Sequence, residues 1–93
     1  MRFMANSRPG PGVTPEQLRI FFKENAFSRP SWNLVQRRVV VQVAVKTGDV
    51  PGVVLFLDVD THQEAADVVN DLDAVRKGLL TFDLDPIGED LRL

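Results

Sequence analysis

The sequence predicts an α+β domain with the element order β-α-β-β-α-β. Three observations carry that expectation. Two capping boxes, Thr14-Pro15-Glu16-Gln17 and Thr61-His62-Gln63-Glu64, mark two helix starts. Two β-branched runs, Val39 to Val45 and Val53 to Val59, flank a glycine-containing turn and read as a hairpin. Alternating segments near each end of the chain supply two further strands.

The elements follow in order. Met1 to Asn6 reads as a first strand, with Phe3 and Ala5 on one face and Met4 on the other. Arg8-Pro9-Gly10-Pro11-Gly12 then forbids regular structure. Thr14 is the N-cap of the first helix, Pro15 its first helical residue, and Gln17 closes the box. Leu18, Phe21, Phe22 and Ala26 form its buried stripe. Pro30 disturbs that helix, and Ser31 re-caps a second piece carrying Trp32, Leu34 and Val35. The hairpin turns through Thr47-Gly48-Asp49-Val50-Pro51-Gly52. Ala65, Val68, Val69 and Leu72 are the stripe of a second helix that Gly78 stops. Leu80, Phe82 and Leu84 alternate with Thr81, Asp83 and Asp85 in a last strand, which Pro86 and Gly88 end.

This order is the ferredoxin-like split βαβ pattern, a four-stranded antiparallel sheet with two helices on one face. The hairpin strands are too apolar for a sheet with one wet face. Valines and leucines are expected on the face away from the helices. At ~25 cal/mol per Å² of apolar surface, covering such a face yields several kcal/mol. Two sheets packed face to face would make a homodimer, a dimeric α+β barrel. The expected functional pocket lies between sheet and helices.

Composition narrows the function classes. The 93 residues make one domain, residues 1–93, with the acidic segment 88–93 as a mobile tail. Such a chain buries about 65% of its unfolded surface, so a partner subunit is a common remedy. Eleven basic residues against thirteen acidic ones argue against nucleic acid and membrane surfaces as partners. The absence of cysteine excludes disulfides, thiolate chemistry and finger-type zinc sites. No signal core interrupts the expectation of a cytoplasmic protein, since Arg2, Asn6, Ser7 and Arg8 break the first residues.

Several segments resemble a known group. Thr14-Pro15-Glu16-Gln17-Leu18, Trp32-x-Leu34 leading into Val39-Val40, and above all Leu72 through Ile87 resemble the muconolactone isomerase-like small proteins. Arg37-Arg38 departs from that group's small residue and glycine, and Ser28-Arg29-Pro30 reads as an insertion. Both departures lie near the expected pocket mouth, so the substrate differs from the group's lactone. The resemblance implies a cofactor-free dimer whose partner is a small-molecule substrate. Relatives of that barrel include lactone isomerases, polyketide cyclases and cofactor-independent monooxygenases, and fold alone does not choose among them.

An isomerase or cyclase of this kind needs a base next to a carbonyl and a donor for the enolate. Glu24, among Phe21, Phe22 and Phe27, is the first candidate base, because an apolar wall raises a carboxylate's pKa. It equally fits a solvated face beside Lys23. Asp58, ending an apolar strand, and Asp83 are the other candidate bases; both also fit exposed strand positions. Asn6 and Gln42, on strands, are candidate donors to a carbonyl or enolate. Trp32 could stack on a conjugated substrate or fill the core. Arg38 could attract a carboxylate or sit in a solvated turn. His62 follows an N-cap, where a helix start disfavours imidazolium, and is read as structural. No histidine or carboxylate cluster suggests a metal. Secondary metabolism, with polyketide biosynthesis in it, is the expected setting. The alternatives are a cofactor-independent monooxygenase on an aromatic polyketide and a non-catalytic dimeric ligand-binding or accessory protein.

Overall fold

The computed structural model describes residues 2–25 and 38–88. The expected second piece of the first helix, with Trp32, and the tail from Glu89 lie outside them. The described elements are β1 (Arg2–Pro9), α1 (Pro15–Asn25), β2 (Val40–Val45), β3 (Val53–Asp58), α2 (His62–Asn70), α3 (Asp73–Arg76) and β4 (Leu80–Ile87). The sheet order is β2-β3-β1-β4, and every neighbouring pair is antiparallel. This is the ferredoxin-like arrangement.

Both helix starts form through the predicted caps. The Thr14 hydroxyl accepts from Gln17 N–H at 3.2 Å, and Thr14 N–H donates to Gln17 Oε1 at 2.8 Å. Thr61 Oγ1 accepts from Glu64 N–H at 3.1 Å, while the Glu64 carboxylate reaches one residue further back, to Asp60 N–H. Each box satisfies backbone donors that have no partner inside the helix. Leu18 on α1 is fully buried and meets Ala74, Leu80 and Phe82, with Phe21 and Phe22 beside it. From α2, Ala65 and Val69 join Phe3, Ala5, Leu55 and Leu57 in the main core.

The helix expected to run to Gly78 is divided in two. Leu72 takes an extended backbone, with ψ 139°, between α2 and α3. The break has a packing reason. Leu72 drops into the core beneath α2, while Ala74, two residues on, packs against Leu18 of α1. One straight helix could not serve both clusters. Gly78, at φ +73°, ends α3 as predicted.

Two strands outrun their predicted ends. β1 continues past Asn6 to Pro9 because β4 pairs with it as far as Pro9 opposite Leu80. β4 in turn continues through Pro86 to Ile87. Proline cannot donate to a ladder, but β4 is an outer strand with one edge unpaired, where proline is tolerated. Long-range pairing overrides the local breaker in both cases.

The register assigns the two faces. Phe3, Ala5 and Ser7 of β1 are buried toward the helices, beside Leu55 and Leu57 of β3 and Leu84 and Phe82 of β4. Met4, Asn6 and Arg8 therefore face the other way, in register with Phe56, Val54, Asp83 and Thr81. The expectation of valines and leucines on this open face is corrected. The β3 and β4 leucines turn to the helices, and the open face mixes Met4, Val54 and Phe56 with charged and amide side chains.

Gly10 is where the chain closes on itself. Its N–H donates to the Leu79 carbonyl at 2.8 Å, and a Cβ there would overlap the Gly78 carbonyl oxygen. Gly48, in the hairpin turn, has nothing near its missing Cβ. Gly10→Ala should therefore cost about 1–3 kcal/mol of stability. Gly48→Ala should be neutral or slightly stabilising, by about 0.4–1 kcal/mol, through the unfolded chain. Urea denaturation of both variants measures the difference, and equal midpoints would contradict the close approach.

Candidate functional site

The open face can be built row by row from the strand register. Ala44, Val54, Asn6 and Asp83 lie side by side across β2, β3, β1 and β4. The next row is Gln42, Phe56, Met4 and Asp85. Asp58 and Arg2 follow at the far end. A bulge at Val41 sets this phase, since Val40 pairs with Leu57 while Gln42 pairs with Phe56. Without it, Gln42 would be displaced by one position and would face the helices.

Four of the sequence candidates thus come together on one surface: Asn6, Gln42, Asp58 and Asp83. That surface is the sheet face away from the helices, and the predicted pocket between sheet and helices gains none of them. Among the described residues, Ser7 is the sole buried polar residue, and it belongs to the helix side. Glu24 is exposed on α1. Phe21 and Phe22 turn with Leu18 into the core, whereas Glu24 shares the solvent side with Ile20, which is 50% exposed. The apolar wall expected around Glu24 is absent from its described neighbours. Arg38 is exposed at the entrance to β2, with a left-handed backbone at φ 60°. It lies at the Asp58 end of the sheet, where Asp58 N–H donates to the Val39 carbonyl. Trp32 lies outside the described residues. His62 is exposed, with its ring edge-on to Phe3 at 5.8 Å, a structural contact.

The polar centre of the open face is Asn6 with its neighbours on β4 and β1. Asn6 Oδ1 is buried and has no hydrogen-bond partner among the described residues. Leaving such an acceptor unpaired costs about 1–3 kcal/mol. Directly across the ladder stands Asp83. Its Oδ1 accepts from the Arg8 guanidinium at 2.8 Å, with about half of the Asp83 side chain exposed. An amide, a carboxylate and a guanidinium therefore adjoin the apolar surface of Val54, Phe56 and Met4. This set can accept a proton, donate hydrogen bonds to an oxygen, and cover an apolar ring.

Two residues escaped the sequence reading. Ser7 Oγ accepts from Val53 N–H at 2.9 Å, taking over where the β1–β3 backbone ladder stops at Asn6 and Val54. Lys46 Nζ donates to the Ser7 carbonyl at 2.6 Å. A lysine at a turn and a serine near two prolines read as loop residues. The available signal was the glycine opposite Lys46, since Gly52 leaves the space the lysine crosses.

No protein-family model matches the chain, and no curated protein matches it in sequence. Among solved structures, it is similar to TftG, a 5-chloro-2-hydroxyhydroquinone dehydrochlorinase from Burkholderia phenoliruptrix AC1100, in a complex with 2,5-dihydroxybenzoquinone. The TM-score is 0.70 over 97% of this chain and 96% of that one, at 14% sequence identity. Likeness at that identity establishes a shared fold.

Ser7 and Asp83 should separate structure from surface chemistry. Ser7→Ala removes the acceptor of the half-buried Val53 N–H and should cost about 1–3 kcal/mol. Asp83→Asn removes an exposed ion pair and should change stability by about 1 kcal/mol or less. Thermal unfolding of the two variants checks this, and a larger loss in Asp83→Asn would make that pair a structural element.

Proposed function

We propose that the chain is a cofactor-free isomerase or cyclase that acts on a small, partly apolar carbonyl compound at the open sheet face. The observation that carries the reading is the Asn6, Asp83 and Arg8 group beside Val54, Phe56 and Met4. A second copy packed face to face encloses this group. Two four-stranded sheets then make eight strands, and an interior of that size is filled by side chains or holds one small ligand. The shared fold with TftG supports the reading. That protein is a dehydrochlorinase seen with a quinone, a small ring that carries carbonyl oxygens.

In this mechanism the Asp83 carboxylate takes a proton from the carbon next to the substrate carbonyl. The C–H electron pair becomes the enolate, and the proton resides on Asp83. Arg8 and the Asn6 amide donate hydrogen bonds to the enolate oxygen as charge develops there. Return of the proton to a different carbon completes an isomerisation, and attack of the enolate carbon on a second carbonyl completes a cyclisation. Gln42, in the next row beyond Val54, orients the far end of the substrate. Asp58 and Glu24 stand apart from this group and take no part in the step.

One observation favours a second reading, a non-catalytic ligand-binding protein: no carboxylate among the described residues is buried in a single chain. The two readings part on proton exchange. Wild-type protein in deuterated water should catalyse exchange at the carbon adjacent to the carbonyl in members of a panel of lactones and hydroxyquinones, followed by NMR. Asp83→Asn should slow that exchange by about 10²-fold or more. Sedimentation should give twice the 10.4 kDa chain mass. Undiminished exchange in Asp83→Asn removes the proposed base, and a monomer removes the enclosed site.

A further inference from the structure

β2 differs from the other described strands in being bare on both faces. Val40 is buried, but from Val41 to Val45 every residue is exposed. The run Val41-Gln42-Val43-Ala44-Val45 holds no charge and no proline. Val41, Val43 and Val45 are 42%, 48% and 72% exposed, which leaves little room for cover from elsewhere in the chain. Val43 and Val45 share the helix side with their register partners Leu55 and Val53, whereas Gln42 and Ala44 belong to the open face. Face-to-face pairing of two open faces would cover Gln42 and Ala44 and still leave Val43 and Val45 in water.

The backbone of β2 has the same outward bias. Lys46 N–H donates to the Gly52 carbonyl at 2.9 Å, which turns the Lys46 backbone toward β3. Alternation then turns the N–H and carbonyl groups of Val45 and Val43 away from β3, to the outer edge. Among the described residues β2 and β4 are the two outer strands. β4 is guarded, because it carries Asp83, Asp85 and Pro86, and charges and proline on an edge discourage a further strand. Between Val40 and Val45, β2 has no such guard.

We infer that β2 pairs edge to edge with β2 of a second copy, antiparallel about a two-fold axis at Val43. An extended strand is what supplies donors and acceptors in line with the Val43 and Val45 backbone. A two-fold contact needs a patch complementary to itself. β2 meets that condition. Turned end for end about Val43, it sets Val43 opposite the partner's Val43, and Val41 beside the partner's Val45. Apolar β-branched pairs across a ladder are stabilising. Charge selects this register. Turned about Gln42 instead, the strand would set Arg38 opposite the partner's Lys46, two cations face to face. Turned about Ala44, Val41 would fall beyond the end of the other strand. A single strand pair buries much less than a standard interface, so this is a weak contact that forms at high protein concentration.

The chain has no cysteine, so one cysteine placed on β2 reports on this contact alone. Under a mild oxidant, Val43→Cys should form a disulfide between copies. Residues opposite each other in an antiparallel pair have Cα atoms about 4.5–5.5 Å apart, within disulfide reach. Val45→Cys should link roughly tenfold more slowly, since its two copies would stand about 13 Å apart along the strands. Sedimentation of wild type should rise above the dimer mass as the protein is concentrated. Val43→Lys sets two ammonium groups opposite each other and should hold the protein at the dimer. Its melting temperature should stay close to that of wild type, because position 43 is exposed. Equal linking rates in the two cysteine variants, or a wild type that never exceeds the dimer mass, overturns the inference. So does a lowered melting temperature in Val43→Lys with its mass unchanged, which would show that the same chain covers this valine. A wild type that passes from monomer to dimer on concentration, with Val43→Lys monomeric throughout, would uphold the edge contact and reject the face-to-face dimer.

Discussion

The two-sided pairing of β1 is the constraint on which the rest of the structure depends. β1 hydrogen-bonds to β3 along one edge and to β4 along the other, so every side chain from Arg2 to Arg8 is committed to a face. A slip of one residue would expel Phe3, Ala5 and Ser7 and bury Met4, Asn6 and Arg8 instead. Burying an arginine and an amide in place of Phe3 is costly, and that penalty fixes the register. Once β1 is fixed, β3 and β4 inherit their phases from it. The core under α2 and the polar group on the open face are then two consequences of one alternation.

Short devices at the hairpin end of β1 keep that alternation from fraying. The Ser7 hydroxyl replaces the next backbone rung toward β3. Lys46 reaches across from β2, so three strands are tied at one point. Gly10 brings the end of β1 against Gly78 and Leu79, just before β4 starts. α1 is anchored to the same end, because Arg19 donates to the Asp49 carbonyl in the hairpin turn. Local hydrogen bonds here do the work that a longer strand or a larger core does in bigger domains.

Much of the fold was legible because its signals are local. Thr14 with Gln17 and Thr61 with Glu64 announce helices through hydrogen bonds made within four residues, and both N-caps form, the second with Glu64 bonding Asp60 N–H rather than Thr61 N–H. Alternation announced β1 and β4. What was illegible depends on distant partners. Nothing near Leu72 says that the helix must break, because the reason is a core residue on β1 and another on α1. Pro9 and Pro86 look like strand ends until β1 and β4 pair through them. The candidate site divides in the same way. Asn6 and Asp83 are far apart in sequence, where only their chemistry marks them, and the register alone puts them opposite each other. Glu24 stands near Phe21 and Phe22 in sequence, and helical geometry turns those two rings toward Leu18 while Glu24 stays exposed.

The placement of polar groups also follows from what each face can tolerate. The helix side is sealed by Phe3, Leu57, Leu18 and Leu80, and a charge there would be stranded without solvent or partner. The open face is where a chain this short can hold an amide, a carboxylate and a guanidinium without destroying its core. The exposed valines extend this logic to the outer strand. Val43 and Val45 on β2 are 48% and 72% exposed, although their register places them on the helix side. The described helices pack instead over β1, β3 and β4, through Leu18, Ala65 and Val69. The helices and the core they cover therefore hold β1, β3 and β4 in place, and Asn6, Arg8 and Asp83 lie on the opposite face of those strands.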